Sequence, residues 1–179
     1  MNTALLIIDV QRALFEGEPR PFEADLVVQR INDLAERARS LAVPVVFVQH
    51  EKEGSPLAFQ SEGWQLQKNL VTGERDLFLR KTTPDAFLRT QLEEILKEFE
   101  IKHVVICGYA SEFCVDTTVR RAAALGYSVT LAADAHTTCD KPHAGAVAIR
   151  AHENGTLPNI TSFGPVIRAV PSGEITFAS

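Results

Sequence analysis

Residues 104–126, VVICGYASEFCVDTTVRRAAALG, decide the fold of this chain. The first four residues are a continuous apolar run typical of a buried β-strand. Residues 113–125 have a helical period and end at Gly126, a residue that is common just after helix C-termini. Cys114 therefore lies where a buried strand passes into a helix. Free backbone N–H groups and the helix dipole favour a thiolate at such a position, so we predict that Cys114 is a nucleophile.

The same alternation of apolar runs and helical segments continues over most of the chain. The further predicted strands are residues 4–8, 43–48, 77–79, 127–133 and one within 160–170. The further predicted helices are residues 25–41, residues 83–99 with Thr83 as N-cap, and a last helix that follows Pro142 and ends at Gly155. Apolar strands that alternate with helices indicate an α/β fold, namely a doubly wound three-layer sandwich with a mostly parallel six-stranded sheet.

Residues 49–76 interrupt this alternation. They lack a clear period, contain Gly54, Pro56 and Gly63, and hold the only tryptophan, Trp64. A long insertion without regular elements in a compact domain is more often a functional loop than a spare linker. We therefore predict that residues 49–76 form a lid or a wall of a binding pocket.

Length and composition fit a single domain over residues 1–179. Eighteen basic and 23 acidic residues give a formal net charge of −5 without a dense basic run, which argues against a nucleic-acid partner. No apolar stretch approaches the ~18 residues that a membrane span needs, and no basic leader precedes the first strand. Cys107, Cys114 and Cys139 lack CxxC spacing, which argues against a disulfide framework or a structural zinc site. We predict a cytoplasmic protein with no membrane partner.

Three polar residues follow predicted strands on the edge where open α/β sheets bind their ligands. Asp9 follows the first strand, Lys81 the third, and Cys114 the fourth. Each has a structural interpretation by itself: Asp9 as a turn cap, Lys81 as a solvated strand end, and Cys114 as a small buried hydrophobe. Together they supply a general base, a cation and a thiol, which are the parts that covalent acyl transfer needs.

Motifs for common cofactors are absent from the sequence. There is no GxGxxG after the first strand and no GxxxxGK[ST], and the five histidines form neither HExxH nor a Cys-His zinc pattern. We therefore predict that the protein uses no cofactor and binds no metal.

Four segments resemble the isochorismatase-like cysteine hydrolase superfamily, which includes nicotinamidases and related amidases. They are residues 7–11, IIDVQ; residues 79–87, LRKTTPDAF; residues 107–115, CGYASEFCV; and residues 133–136, ADAH. Each segment is modestly specific by itself, but their order and spacing together are strongly specific. The resemblance covers nearly the whole chain.

The resemblance implies an Asp-Lys-Cys triad at Asp9, Lys81 and Cys114, and a non-proline cis peptide at Tyr109-Ala110. It also implies an oxyanion hole formed by the N–H groups of Ala110 and Cys114, a small-molecule amide as substrate, and a homodimer or homotetramer. Candidate substrate-binding residues are Gln11, Phe15, Trp64, Phe87, Tyr109 and Phe113. The aromatic side chains among them could instead be ordinary core, and Gln11 could either orient Asp9 or bond backbone groups.

The chain departs from two members of this superfamily. Nicotinamidases usually carry an Asp-x-His metal-binding stretch after the second strand, where this chain has Gln49-His50-Glu51. Isochorismatases proper hydrolyse a vinyl ether without a nucleophilic cysteine. These departures favour a cysteine hydrolase that cleaves a C–N bond in a small molecule through a thioester. Two alternatives stay open, namely non-covalent isochorismatase-like hydrolysis and a catalytically degenerate small-molecule binding protein.

Overall fold

A computed structural model describes residues 2–177 and contains one sheet of six parallel strands. The predicted domain also includes Met1, Ala178 and Ser179, which lie outside the described residues. The strands are β1 Thr3–Ile8, β2 Val45–His50, β3 Leu77–Lys81, β4 His103–Tyr109, β5 Ser128–Thr137 and β6 Ile167–Val170. Their order is β3-β2-β1-β4-β5-β6, so the winding direction reverses between β1 and β4. The predicted doubly wound α/β fold is confirmed.

Helices cover both faces of the sheet. They are α1 Arg12–Phe15, α2 Ala24–Ser40, α3 Leu92–Glu98, α4 Asp116–Ala124 and α5 Ala146–Thr156, together with a π-helix at Ser111–Val115. Every side chain of β1 is buried, and alternate residues belong to two separate cores. Leu5 and Ile7 pack on the side of α2, whereas Leu6 and Ile8 pack on the side of α3 and α4. This arrangement is the predicted three-layer sandwich.

The prediction of one helix over residues 83–99 was wrong, because only Leu92–Glu98 is an α-helix there. Side chains bond the polar backbone groups of the preceding loop. Thr83 Oγ1 donates to the Asp85 carbonyl, and the Asp85 carboxylate accepts from the Phe87 N–H. Thr118 of α4 accepts from the Ala86 N–H. Thr83 therefore starts a side-chain-bonded loop instead of capping a helix.

Other boundaries shift by several residues. The last helix begins at Ala146, where the Asp140 carboxylate accepts from the Ala146 N–H, and not directly after Pro142. β5 runs to Thr137 because a register irregularity opposite β4 lets pairing resume at His136. The helix expected over residues 113–125 begins earlier, as a π-helix at Ser111.

The centre of the sheet is closely packed at Gly108. This residue of β4 pairs with Ile8 of β1 and has a φ of +118°, and a Cβ atom there would collide with the backbone of Ile8. Only glycine fits both constraints. The close approach brings the residues after β4 next to those after β1. Among residues 2–177, no helix has the length and apolarity that a bilayer span needs.

Candidate active site

The carboxyl ends of three strands bring Asp9, Lys81 and Cys114 to one place. Asp9 directly follows β1 with a φ of +52°, and its N–H donates to the Val48 carbonyl of β2. Lys81 is the last residue of β3, and Cys114 lies in the π-helix that follows β4. The site therefore lies at the edge where the strand order reverses.

Lys81 connects the other two residues. Its Nζ donates to Asp9 Oδ2 over 2.7 Å and to Cys114 Sγ over 3.3 Å. The side chains of Lys81 and Asp9 are 0% and 2% exposed, so this ion pair is shielded from water. A buried pair is stable only while both charges remain paired, which fixes the ammonium beside the sulfur.

One carboxylate oxygen of Asp9 forms no hydrogen bond with any residue in the part of the chain that the structure describes. Asp9 Oδ1 is buried without a partner, and Cys114 Sγ lies within 4.8 Å of an Asp9 carboxylate oxygen. Because the carboxylate retains an acceptor site beside the thiol, it can take the thiol proton.

The environment of Cys114 favours the thiol over the thiolate in the resting site. Burial and the Asp9 carboxylate raise the pKa of Cys114 to about 12, although Lys81 acts in the opposite direction. The sequence predicted a favoured thiolate from a helix N-terminus. That prediction was wrong, because Cys114 is largely buried within a five-residue π-helix and beside a carboxylate. A role as nucleophile would therefore require that the thiol lose its proton.

His50 is a further polar residue of the site, and the sequence motifs did not point to it. It ends β2 and its Nδ1 lies 3.2 Å from Lys81 Nζ, which also donates to the Thr83 carbonyl over 3.1 Å. Burial and the Lys81 charge lower the pKa of His50, so its imidazole is neutral near pH 7. Its place at a strand end, level with Lys81, is the signal that could have found it.

Lys81 has more acceptors than it can satisfy. Asp9 Oδ2, the Thr83 carbonyl, His50 Nδ1 and Cys114 Sγ all lie within 3.3 Å of Nζ, whereas an ammonium carries three N–H bonds. The two oxygens are the nearest acceptors. The third N–H is therefore shared between the imidazole and the sulfur.

Three residues of the site have the spacing of metal ligands. Asp9, His50 and Cys114 each offer one ligand atom, and these atoms lie within 4.8 Å of one another. Lys81 Nζ lies 2.7 to 3.3 Å from atoms of the same three side chains, so an ammonium already supplies the positive charge at their centre. The donor set thus fits a buried lysine better than a divalent cation.

A cavity of about 230 Å³ opens above Cys114. The predicted pocket residues Tyr109 and Phe113 line it, together with Asp9 and Ala110. The remaining lining residues are Leu14, His50, Leu57 and Pro84. Residues 49–76, the predicted lid or wall, thus contribute one apolar side chain, Leu57, besides His50.

The other aromatic candidates lie away from this cavity. Phe15 is fully buried and packs edge-on against Tyr109, with ring centroids 5.8 Å apart, so it supports the wall from behind. Phe87 is buried in the core, where it stacks on Tyr127. Trp64 packs against Phe59 in the loop that precedes β3.

Gln11 is buried and bonds backbone groups. Its amide exchanges hydrogen bonds with both the N–H and the carbonyl of His50, and its Nε2 also donates to the Trp64 carbonyl. These bonds fix the end of β2 and therefore the position of His50. Gln11 acts on the site through His50 and not by lining the cavity.

The peptide Tyr109-Ala110 is cis, as the resemblance implies. Ala110 is 2% exposed and lines the cavity. Within residues 2–177, no backbone or side-chain acceptor receives the Ala110 N–H. The site thus contains a buried backbone donor without a partner.

Comparison with known proteins assigns a family to this arrangement. A family model described as Isochorismatase domain matches residues 3–162. The chain belongs to the isochorismatase family. Its resemblance to isochorismatase-like cysteine hydrolases is therefore confirmed at the level of the family.

Relatives within the isochorismatase family include a streptothricin hydrolase and a nicotinamidase. A streptothricin hydrolase of Streptomyces noursei is 37% identical over 146 residues, which cover 81% of this chain and 58% of that protein. This chain thus spans little more than half of that relative's length. Nicotinamidase 3 of Arabidopsis thaliana is 29% identical over 75% of this chain and 73% of its own. A solved structure of an isochorismatase family protein has a TM-score of 0.85 at 33% identity, covering 94% of this chain and 98% of that one.

Proposed function

We propose that this protein is a cysteine hydrolase that cleaves a C–N bond of the amide type in a small molecule. Asp9, Lys81 and Cys114 form its catalytic triad, and the reaction passes through a thioester on Cys114. The observation that carries the proposal is the contact of Lys81 Nζ with both Asp9 Oδ2 and Cys114 Sγ, beside the unpartnered Asp9 Oδ1.

The first half-reaction acylates Cys114. Asp9 Oδ1 takes the thiol proton as Sγ forms a bond to the amide carbon, and Lys81 stabilises the negative charge on the sulfur. The carbonyl oxygen becomes an oxyanion held by the N–H groups of Ala110 and Cys114. Loss of one such donor costs about 3 kcal/mol in other enzymes. Protonated Asp9 then gives its proton to the nitrogen as the C–N bond breaks, which releases ammonia or an amine.

The second half-reaction regenerates the thiol. Asp9, now a carboxylate again, removes a proton from water while the water oxygen attacks the thioester carbon. The C–S bond breaks, and the sulfur recovers the proton from Asp9. The products are a carboxylic acid and the free enzyme, so one water is consumed for each amide.

One of the compared relatives, a nicotinamidase, supports C–N chemistry by its name. Isochorismatase itself acts on a C–O bond. That reaction needs no nucleophilic thiol, whereas here the thiol contacts Lys81 and lies beside a free carboxylate oxygen. This contact favours the covalent route over non-covalent hydrolysis and over a binding protein without activity.

The test is a screen of small amides for ammonia release, followed by rapid acid quench and mass spectrometry. With a substrate found, the wild type should show an acyl adduct on Cys114, and Cys114→Ala should lose both adduct and turnover. Cys139→Ala is the matched control, because the Cys139 thiol lies outside the cavity. This variant should keep full activity. Full turnover by Cys114→Ala would overturn the covalent mechanism.

A further inference from the structure

Apart from the triad, His50 and the backbone of Ala110, the walls of the cavity above Cys114 are formed by apolar and aromatic side chains. Leu14, Leu57, Pro84, Tyr109 and Phe113 come from four segments of the chain and converge on it. Phe113 is 54% exposed and stands at the opening. Such a surface gains free energy when an apolar group displaces its water.

Among the residues that the structure describes, no lysine or arginine lines this cavity, so no lining side chain offers a permanent cation to an anionic group on a ligand. Lys81 is fully buried and bound to Asp9, and His50 is neutral. Lys141 lies 5.6 Å from the Phe113 ring, but it already forms an ion pair with Glu112. A carboxylate in the cavity would therefore lose its hydration without gaining a counterion.

A cationic group meets the same difficulty. The one carboxylate that lines the cavity is Asp9, whose side chain is 2% exposed and is held by Lys81. Transfer of an ammonium group into the cavity would place two cations beside one carboxylate. Charge of either sign is thus disfavoured in the part of the substrate that enters.

Size sets a second limit. The cavity of about 230 Å³ lies below the roughly 300–1,000 Å³ of pockets that hold drug-sized ligands. It has room for about one aromatic ring or a short alkyl chain. Asp9 lines the cavity and its Oδ1, the proposed proton donor to the leaving group, is buried, so the departing amine must be small.

We propose that the substrate is an uncharged primary carboxamide whose acyl group is apolar and about the size of one ring. This proposal rests on the proposed function and narrows it. The ring or alkyl chain packs among Leu57, Tyr109 and Phe113 while the amide lies over Cys114. Attack forms an S–C bond, the C–N bond breaks with release of ammonia, and water then gives the apolar carboxylic acid and the thiol.

Alkylation of Cys114 tests whether the cavity disfavours charged groups, and it does not require turnover. Iodoacetamide and iodoacetate deliver the same reaction at the sulfur, but one is a neutral primary amide and the other an anion. The ratio of their rates at Cys114 should exceed the ratio measured for glutathione by at least about 10-fold, because the anion enters unpaired. An equal or smaller ratio would show that Lys81 attracts anions into the cavity and would overturn the proposal.

Turnover supplies the second readout. Benzamide and hexanamide should be hydrolysed with kcat/KM at least about 100-fold above that of terephthalamate, the 4-carboxylate of benzamide. Leu57→Arg should raise turnover of terephthalamate and lower that of benzamide. Val147→Arg is the matched control, because Val147 is 58% exposed and lies outside the cavity.

Failure of the substrate class and failure of the proposed function give different results. Hydrolysis of terephthalamate at the rate of benzamide, with an acyl adduct on Cys114, would overturn the apolar specificity and leave the triad intact. Benzamide that neither acylates Cys114 nor slows its alkylation would also overturn the specificity. Turnover of benzamide that persists in Cys114→Ala would support the apolar cavity and overturn the covalent mechanism.

Discussion

At the scale of single residues, the site depends on how Lys81 distributes three N–H bonds among four acceptors. His50 Nδ1 at 3.2 Å and Cys114 Sγ at 3.3 Å compete for the third bond. A neutral thiol is a weak acceptor, so in the tautomer whose Nδ1 carries no proton the imidazole takes the larger share of this N–H in the resting site. A thiolate is a strong acceptor and takes it when the proton has moved to Asp9. We infer that His50 restrains the formation of the thiolate before substrate is present.

We predict that His50→Ala makes Cys114 more reactive, because the third N–H of Lys81 is then free to stabilise the thiolate. The midpoint of the pH profile for iodoacetamide labelling should fall by up to about one pH unit. At pH values below the midpoint, the variant should therefore be labelled up to about tenfold faster than the wild type. His152→Ala is the matched control, since this histidine is exposed on α5. A midpoint that rises would show that His50 supports the thiolate.

A second prediction concerns the contribution of the ion pair between Lys81 and Asp9 to stability. Lys81→Met leaves the Asp9 carboxylate buried without a counterion, so the free energy of unfolding in urea should fall by roughly 3–5 kcal/mol. The double variant Asp9→Asn with Lys81→Met should recover most of that loss and still lack activity. The exposed pair Lys97–Glu93 is the comparison, and Lys97→Met should change stability little. Equal losses from both single variants would contradict the prediction.

At the scale of elements, the sequence predicted the strands and helices that follow from a hydrophobic period. It did not predict the segment whose conformation depends on hydrogen bonds from side chains. β1 and α2 have apolar patterns that match their burial, so both were predicted within a few residues. The loop at residues 83–91 has a capping residue and a proline at helix-start spacing, yet Thr118 and Asp85 bond its backbone instead. Those partners depend on α4, which no local pattern reveals.

A buried glutamate lies where α5 packs against the segment that contains Cys114, and it makes the stability of the fold depend on pH. Glu153 is 6% exposed, its Oε2 has no partner among the described residues, and burial together with Asp116 and Glu112 raises its pKa to about 7, while Arg120 opposes the shift. The folded state thus binds this proton more tightly than the unfolded state, whose value is 4.5. Glu153 stabilises the fold fully below about pH 4.5 and loses that contribution as pH rises through about 7.

We predict that Glu153→Gln removes this dependence. The melting temperature of the variant should equal that of the wild type near pH 4.5. At higher pH the variant should melt at a higher temperature than the wild type, by a difference that grows until about pH 7 and then stays constant. Scanning calorimetry from pH 4.5 to 8.5 measures the difference. Glu98→Gln, at an exposed position of α3, is the matched control and should follow the wild type. A difference independent of pH would contradict the assignment.

At the scale of the whole molecule, the parallel topology explains why part of the site was predictable. The carboxyl ends of parallel strands share one edge, so strand ends alone suggested that Asp9, Lys81 and Cys114 could meet. The structure brings their side chains together across 72 and 33 residues of sequence. His50 is at the same edge but belonged to no motif. Phe87 and Trp64 were predicted as pocket residues from their residue type alone. The structure places both side chains outside the cavity, and the sequence does not reveal side-chain direction.

The two halves of the molecule meet where Gly108 of β4 packs against Ile8 of β1, and this contact yields the last prediction. Gly108→Ala adds a Cβ that collides with the Ile8 backbone at a φ of +118°, so it should separate β1 from β4. Gly126→Ala is the matched control, because its φ of +96° is also positive but no atom lies within 4 Å of its Cβ. In urea unfolding, Gly126→Ala should cost about 1–2 kcal/mol. Gly108→Ala should cost at least about 3 kcal/mol and should also slow Cys114 alkylation, since Tyr109 and Ala110 move with the strand. Equal costs for the two variants would mean that backbone conformation alone, and not the close approach of the two halves, makes glycine necessary at position 108.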